Sequence, residues 1–323
     1  MRFSRRHLLG AMATLPAWPS LAQGFPSRPI TVIEPFAAGG AVDAAVRAIC
    51  EKAATLLGQP MLVDARPGGG TRVGTELIRR ANPDGHTIGV MVSAAGVNIP
   101  SLDPRSTYDP VRDFTLLTLG FEASYVIVAH PSLGLRNLQD LIDYGRKNPG
   151  KLSYGSSGMG TSTHLWMEIF QDMTRTQFVH APYRGEAASV QDLVGGHIQL
   201  LLTNVSLVKG HVDAGRLNVL AYAGAKRTPL MPQLPTTAEA GLPGYLAGGW
   251  VGFIGPAGMP PEVASRLTQA LRTSMAQADV IERVERANFT VKSSPPDEFA
   301  NQIRSEIEKM KAVGKSRGIV LND

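Results

Sequence analysis

The sequence predicts an α/β fold with more than one core. Apolar strand-like runs alternate with helical runs along the chain, and several strand-like runs end in Gly-, Ser- or Thr-rich turns that open into helices. The roughly 300 residues beyond the first segment suit two cores better than one. No internal repeat or low-complexity segment interrupts the pattern.

Strands are expected at 30–34, 61–64, 87–92, 125–129, 152–154, 198–202, 219–222 and 251–254, where β-branched and aromatic residues concentrate. Helices are expected at 42–57, 72–81, 138–148, 163–173, 187–194, 261–277, 278–287 and 296–317. In the first helix Val46, Ile49, Cys50 and Ala53 share one face. In the sixth, Val263, Leu267, Leu271 and Met275 recur every four residues, a packing stripe. The turn Pro256-Ala257-Gly258-Met259-Pro260 precedes Pro261, and Ser294-Pro295 precedes Pro296; proline at an early helical position starts each helix. Strands alternating with helices predict largely parallel sheets, with binding at the carboxyl ends of the strands.

The first 22 residues read as an export signal. Arg2, Arg5 and Arg6 are followed by an apolar run over 8–15 and by the small residues Ser20-Leu21-Ala22. Ser4-Arg5-Arg6-His7-Leu8-Leu9 resembles a twin-arginine motif. The apolar run is well short of the ~20 residues a membrane span needs, so the processed chain is expected to be exported and soluble. The net charge of +5 includes those three arginines. What remains is mild and interspersed, with no nucleic-acid footprint. Cys50 is the only cysteine, so no intrachain disulfide forms, and its helical spacing points to core packing.

Four clusters could carry chemistry. Pro35-Phe36-Ala37-Ala38-Gly39-Gly40-Ala41-Val42-Asp43 joins a strand to a helix and gathers backbone N–H groups at a helix N-terminus, which suits an anion. Asp43 could cap that helix or face a ligand. Arg66-Pro67-Gly68-Gly69-Gly70-Thr71-Arg72 lies at a second such junction but fits neither a P-loop nor G-x-G-x-x-G. Tyr154-Gly155-Ser156-Ser157-Gly158-Met159-Gly160-Thr161-Ser162-Thr163-His164 is dense in hydroxyls; Met159 stands where a G-x-S-x-G elbow around Ser157 needs glycine. Pro182-Tyr183-Arg184-Gly185 could present Tyr183 and Arg184 to a cleft, or simply turn. The seven histidines show no H-x-x-x-H pair, so neither a metal nor a catalytic set is expected. Such loops suit a pocket that holds a small anion mainly by backbone donors.

The order of these motifs resembles the periplasmic solute-binding receptors of tripartite tricarboxylate transporters, the Bug family. The landmarks run from Pro35-Phe36…Gly39-Gly40…Asp43 through Arg66-Pro67-Gly68, Pro83-Asp84-Gly85, Asp113-Phe114, Tyr154-Gly155-Ser156…His164-Leu165 and Pro182-Tyr183-Arg184-Gly185 to Pro235-Thr236 and Pro256-Ala257-Gly258. The resemblance implies a two-lobed type II binding-protein fold with two interlobe crossings, near 124 and 246. The first lobe would be 24–123 plus 247–323 and the second 124–246. It implies a small carboxylate held in the cleft without cofactor or metal, and delivery to a membrane permease by a monomeric receptor that is not an enzyme. The ligand residues it implies are Phe36, Ala38, Gly39, Gly40, Asp43, Ser93 and Ala94 from the first lobe. Ser156, Ser157, Gly158, Gly160, Thr161, Ser162, Tyr183 and Asn204 would come from the second. Ala65, His86 and Asn204 depart from the family's usual residues, and the last bears on ligand identity. Two other readings are a ligand sensor partnering a signalling kinase, and a secreted hydrolase using Ser157 or Ser162 with His164.

Overall fold

A computed structural model describes residues 24–321; the expected export signal lies outside them. In chain order the elements are β1 (Ile30–Glu34), α1 (Ala41–Leu57), β2 (Met61–Ala65), α2 (Arg72–Arg79), β3 (Thr87–Val92), α3 (Ile99–Leu102), β4 (Phe114–Ser124) and β5 (Val126–Ala129). Next come α4 (Leu138–Lys147), β6 (Ser153–Ser156), α5 (Ser162–Thr174), β7 (Val179–Pro182), α6 (Glu186–Val194), β8 (Leu200–Thr203), α7 (Val205–Asp213) and β9 (Asn218–Tyr222). The chain ends with β10 (Gly248–Pro256), α8 (Pro261–Met275), α9 (Ala278–Arg286), β11 (Thr290–Ser294) and α10 (Pro296–Arg317).

These strands form two sheets, each the centre of one lobe. The first has the order β11-β4-β10-β3-β1-β2 and the second β7-β6-β8-β5-β9. Helices pack on their faces. In the first lobe Ile30, Val32, Ile88, Val90, Phe121 and Phe253 meet the α1 stripe of Ala45, Val46, Ile49 and Ala53 and the α8 stripe of Leu267, Leu271 and Met275. Cys50 is buried in this core, as its spacing predicts. The opposite face is covered by Ile78 of α2 and by Phe299 and Ile303 of α10. The second lobe has a core on each face, one around Tyr154, Phe170 and Tyr245, the other around Val126, Leu193 and Val208.

The sheets are mixed, which corrects the expectation of largely parallel strands. β1 pairs in parallel with β2 and β3, and β6 with β7 and β8. The strands that carry the chain between lobes run antiparallel: β10 lies between β3 and β4, and β5 between β8 and β9. Only Tyr125 separates β4 from β5. At the return, Tyr125 N–H donates to the Ala247 carbonyl (3.0 Å), Ala247 N–H to Ala223 (3.0 Å) and Ala223 N–H back to Tyr125 (2.8 Å). The two crossings are therefore hydrogen-bonded side by side.

Three strands and two helices, the one-turn α3 and α7, lie outside the expected elements. β4 is buried through its middle without alternation, so it lacks a period of two. β7 ends at Pro182 and β11 is mostly polar; both are edge strands. α7 follows β8 directly, capped by the Asn204 side chain. Beyond β3 the chain makes a wide π-type turn over Ala94–Asn98.

Candidate functional site

The loops after β1 and β3 and the start of β10 in the first lobe face the loops after β6, β7 and β8 of the second. In this structure the lobes are closed on one another. Ser93 Oγ lies 2.8 Å from Ser162 Oγ, and Asn98 Nδ2 donates to the Gly160 carbonyl at 3.2 Å. Ala37 N–H donates to the Arg184 carbonyl (3.2 Å) and Trp166 Nε1 to the Gly248 carbonyl (2.8 Å). Gly70 touches the second lobe so closely that an added Cβ would stand 1.8 Å from the Met159 carbonyl oxygen.

A cavity of ≈ 30 Å³ lies along this seam. Phe36, Ser93, Ala94, Ser157, Thr161 and Ser162 line it, as do Tyr125, Glu186, Gly249 and Trp250. Six of the residues expected at the site are thus brought together. At its centre the Ser93 and Ser162 hydroxyls and Tyr125 Oη gather over Gly249: a Cβ there would stand 3.1, 3.4 and 2.8 Å from them. Glycine at 249 is what leaves that space. Ser157 also lines an outer cleft of ≈ 500 Å³ with Gly158, Tyr183, Arg184 and the loop 68–71.

The local sequence explains how these groups are held. Ser157 N–H donates to Thr163 Oγ1 (3.0 Å), and Thr161 Oγ1 donates to the Gly158 carbonyl (2.7 Å). The loop is tied by its own hydroxyls, and the Thr161 side chain does not cap α5. The first N–H groups of α5 then have no intrahelical acceptor and point at the seam with the positive end of the helix dipole.

The remaining expected residues have other positions. Ala38, Gly39, Gly40, Asp43, Ser156, Gly160 and Asn204 line neither space. Asp43 accepts from Gly39 N–H (3.1 Å) and from Arg47 Nε (2.8 Å), which ties the loop to the first turn of α1. Burial works against its charge, but Arg47, the Gly39 N–H and Glu34 outweigh it and lower its pKa. Glu34 beneath it is fully buried, and burial, then Asp43, pushes its carboxyl up to about 9. Gly40 has room for a Cβ, with nothing nearer than 3.9 Å. Ser156 is buried and bonded to His180 Nε2 (2.7 Å). Gly160 takes part through its carbonyl, and Asn204 Oδ1 accepts from Ser206 N–H (2.9 Å) at the start of α7.

The geometry of a hydrolase is not assembled around Ser157 or Ser162. Ser157 Oγ lies 3.0 Å from Thr163 Oγ1, and the partner of Ser162 Oγ is Ser93. His164 Nδ1 accepts from Gly160 N–H (3.1 Å), and its ring stacks on His180 at 4.1 Å. Burial, with the charge of His164 added, depresses His180 to about 3. Among the described residues no group of three or more His, Cys, Asp or Glu could hold a metal, and no helix is long and apolar enough to cross a membrane.

Sequence reasoning missed Glu186, Tyr125, Gly249 and Trp250. Glu186 falls one residue before the helix expected at 187–194; an acid in the first turn after the Tyr183-Arg184-Gly185 loop was the available signal. Burial raises the Glu186 pKa, opposed by hydrogen bonds from Thr203 and Asn204 N–H.

Two mixed sheets joined by a double crossing, with facing loops at a hydroxyl-rich seam, define a two-lobed periplasmic-binding-protein fold. The sequence profile of the tripartite tricarboxylate transporter family receptor matches residues 45–319, and the chain belongs to that family. It is 35% identical over 310 residues to the UPF0065 protein in the tcbD-tcbE intergenic region of Pseudomonas sp. strain P51, covering 94% of this chain and 92% of that protein. It is 30% identical over 306 residues to protein BugT of Bordetella pertussis, covering 94% of each. Two solved structures superpose closely. Rpa4515 of R. palustris with adipate has a TM-score of 0.87 and 29% identity, covering 92% of this chain and 99% of that one. MatC of Rhodopseudomonas palustris with bound malate has a TM-score of 0.85 and 27% identity, covering 90% and 99%.

Proposed function

We propose that this protein is a periplasmic receptor that captures a small organic carboxylate between its lobes and delivers it to a tripartite tricarboxylate-type membrane transporter. The observation that carries this reading is the seam where Ser93 of one lobe meets Ser162 of the other, beside the N-terminus of α5. Hydroxyls and backbone N–H groups from both lobes favour an anion, and each such charged hydrogen bond contributes roughly 1.5–3 kcal/mol. Malate and adipate in two relatives support the ligand class. On this reading the lobes are 24–123 with 247–323, and 124–246, and the first 22 residues are an export signal removed on processing.

Opening separates Ser93 from Ser162, Asn98 from Gly160 and Ala37 from Arg184. A ligand that touches both lobes gains its second set of contacts only on closure, so it shifts the population towards the closed form. Phe36, Ser93, Ser157, Thr161 and Ser162 contact the ligand; Gly158 and Tyr183 act from the outer cleft. Binding, closure and release are the whole cycle, and no bond of the ligand is broken.

The test is a thermal-shift screen of denatured and refolded protein against mono-, di- and tricarboxylates. A ligand at 100 times its Kd stabilises by ~2.7 kcal/mol. A carboxylate-selective shift supports the reading; a set of shifts confined to non-acidic compounds refutes it.

A further inference from the structure

Glu186 opens α6 and lines the seam cavity. One oxygen, Oε2, accepts from the Thr203 hydroxyl and from Asn204 N–H (3.0 Å), tying α6 to the end of β8. Those bonds, with the favourable placement of an acid at a helix N-terminus, account for a structural role. They use one oxygen. Among the described residues Oε1 has no hydrogen-bond partner.

The rest of the cavity wall sharpens the point. It holds hydroxyls from Ser93, Ser157, Thr161 and Ser162, the phenol of Tyr125, and apolar side chains. Glu186 is its one carboxylate, and no Lys, Arg or His lines it. The Glu186 charge reaches Tyr125: burial first, then that charge, raises the pKa of the phenol. An unpaired acceptor beside a buried ligand is satisfied by a donor and opposed by a second anion, because the cavity offers no cation to offset like charges.

We propose that Glu186 determines specificity: Oε1 selects a carboxylate ligand whose far end is a hydrogen-bond donor, an amide or ammonium group, and disfavours a second carboxylate. This rests on the receptor reading above. The ligand's own carboxylate takes the Ser93, Ser162 and α5 end, and its donor end faces Glu186.

The experiment is calorimetric titration of refolded protein, wild type and Glu186→Gln, with chain-matched triples. Each triple holds a dicarboxylate, its mono-amide and the corresponding amino acid: succinate, succinamate and 4-aminobutyrate, then the same for glutarate and adipate. Wild type is expected to prefer a donor-terminated member over the dicarboxylate by at least tenfold, and Glu186→Gln to shrink that ratio at least fivefold. Gln keeps an acceptor for Thr203 and Asn204 N–H, so the fold is expected to hold. Should the variant fail to fold, the wild-type ratio alone decides. Equal or tighter dicarboxylate binding by wild type, or a ratio unmoved in Glu186→Gln, overturns the inference and leaves the receptor reading standing. No binding of any member by either protein overturns the Glu186 inference, and the wider carboxylate screen then decides the receptor reading.

Discussion

Replacing Gly249 by alanine tests the seam directly. The new Cβ would stand 2.8 Å from Tyr125 Oη, 3.1 Å from Ser93 Oγ and 3.4 Å from Ser162 Oγ. The first distance is shorter than real Cβ contacts, so the buried Tyr125 must move. Ser162 belongs to the opposite lobe, so part of the crowding exists only when the lobes are closed. Overpacking of this kind costs about 1–3 kcal/mol, which corresponds to roughly 5- to 150-fold in Kd. Ser93 shares a lobe with Gly249, so part of the crowding is also present without ligand, and the unliganded protein should melt a few degrees lower. Trp250 lines the cavity and Trp166 donates across the seam to Gly248, so intrinsic fluorescence follows closure during a ligand titration. A Kd within twofold of wild type would show that the ligand does not occupy the seam.

Four further outcomes are expected. Ser93→Ala and Ser162→Ala should each weaken binding about tenfold, and the double variant by less than the product, because the two hydroxyls act through one contact; a calorimetric double-mutant cycle reads the coupling. Glu34 keeps its proton to about pH 9, whereas in the unfolded chain it ionises near 4.5. The unfolded state therefore binds fewer protons across that window, and this contribution to stability is full below pH 4.5 and lost towards pH 9 at up to ~1.4 kcal/mol per pH unit. Urea melts should show Glu34→Gln more stable than wild type at pH 8, with a flatter pH dependence. Phe121→Ala should destabilise the first lobe by roughly 3–5 kcal/mol in the same assay, since the side chain is fully buried. Asn204→Ala should lose ~1 kcal/mol of stability as an N-cap of α7, with ligand affinity nearly unchanged.

The parts of the fold legible in the sequence share one property: their signal is local. β1, the Gly39-Gly40 turn and α1 follow from β-branched residues, glycines and a four-residue stripe within one stretch. The hydroxyl-rich loop before α5 is equally self-contained, and it delivers Ser157, Thr161 and Ser162 to the cavity. What could not be read depends on distant pairing. β4 has no alternation because it is buried through its middle between β10 and β11, and the antiparallel placement of β10 follows from a return across the molecule. Tyr125 reads as core and Gly249 as nothing in particular until the crossings place them at the seam. Asp43 shows the converse. Its position beside two glycines at a helix start suggests a ligand contact, yet Arg47, one turn on, claims its carboxylate.

The paired crossings have a mechanical consequence. Tyr125 and Ala247 are bonded neighbours at the end of the antiparallel β4–β10 pair, where β4 passes into β5 of the other sheet and β10 receives the returning chain. A two-stranded ribbon flexes and twists readily, but sliding one strand along the other would break its rungs. Sliding of one lobe past the other is therefore suppressed, and bending and twisting at the crossings remain as their relative motions. A distance across the mouth, between labels on Arg184 and on the 68–70 loop, then reports the opening.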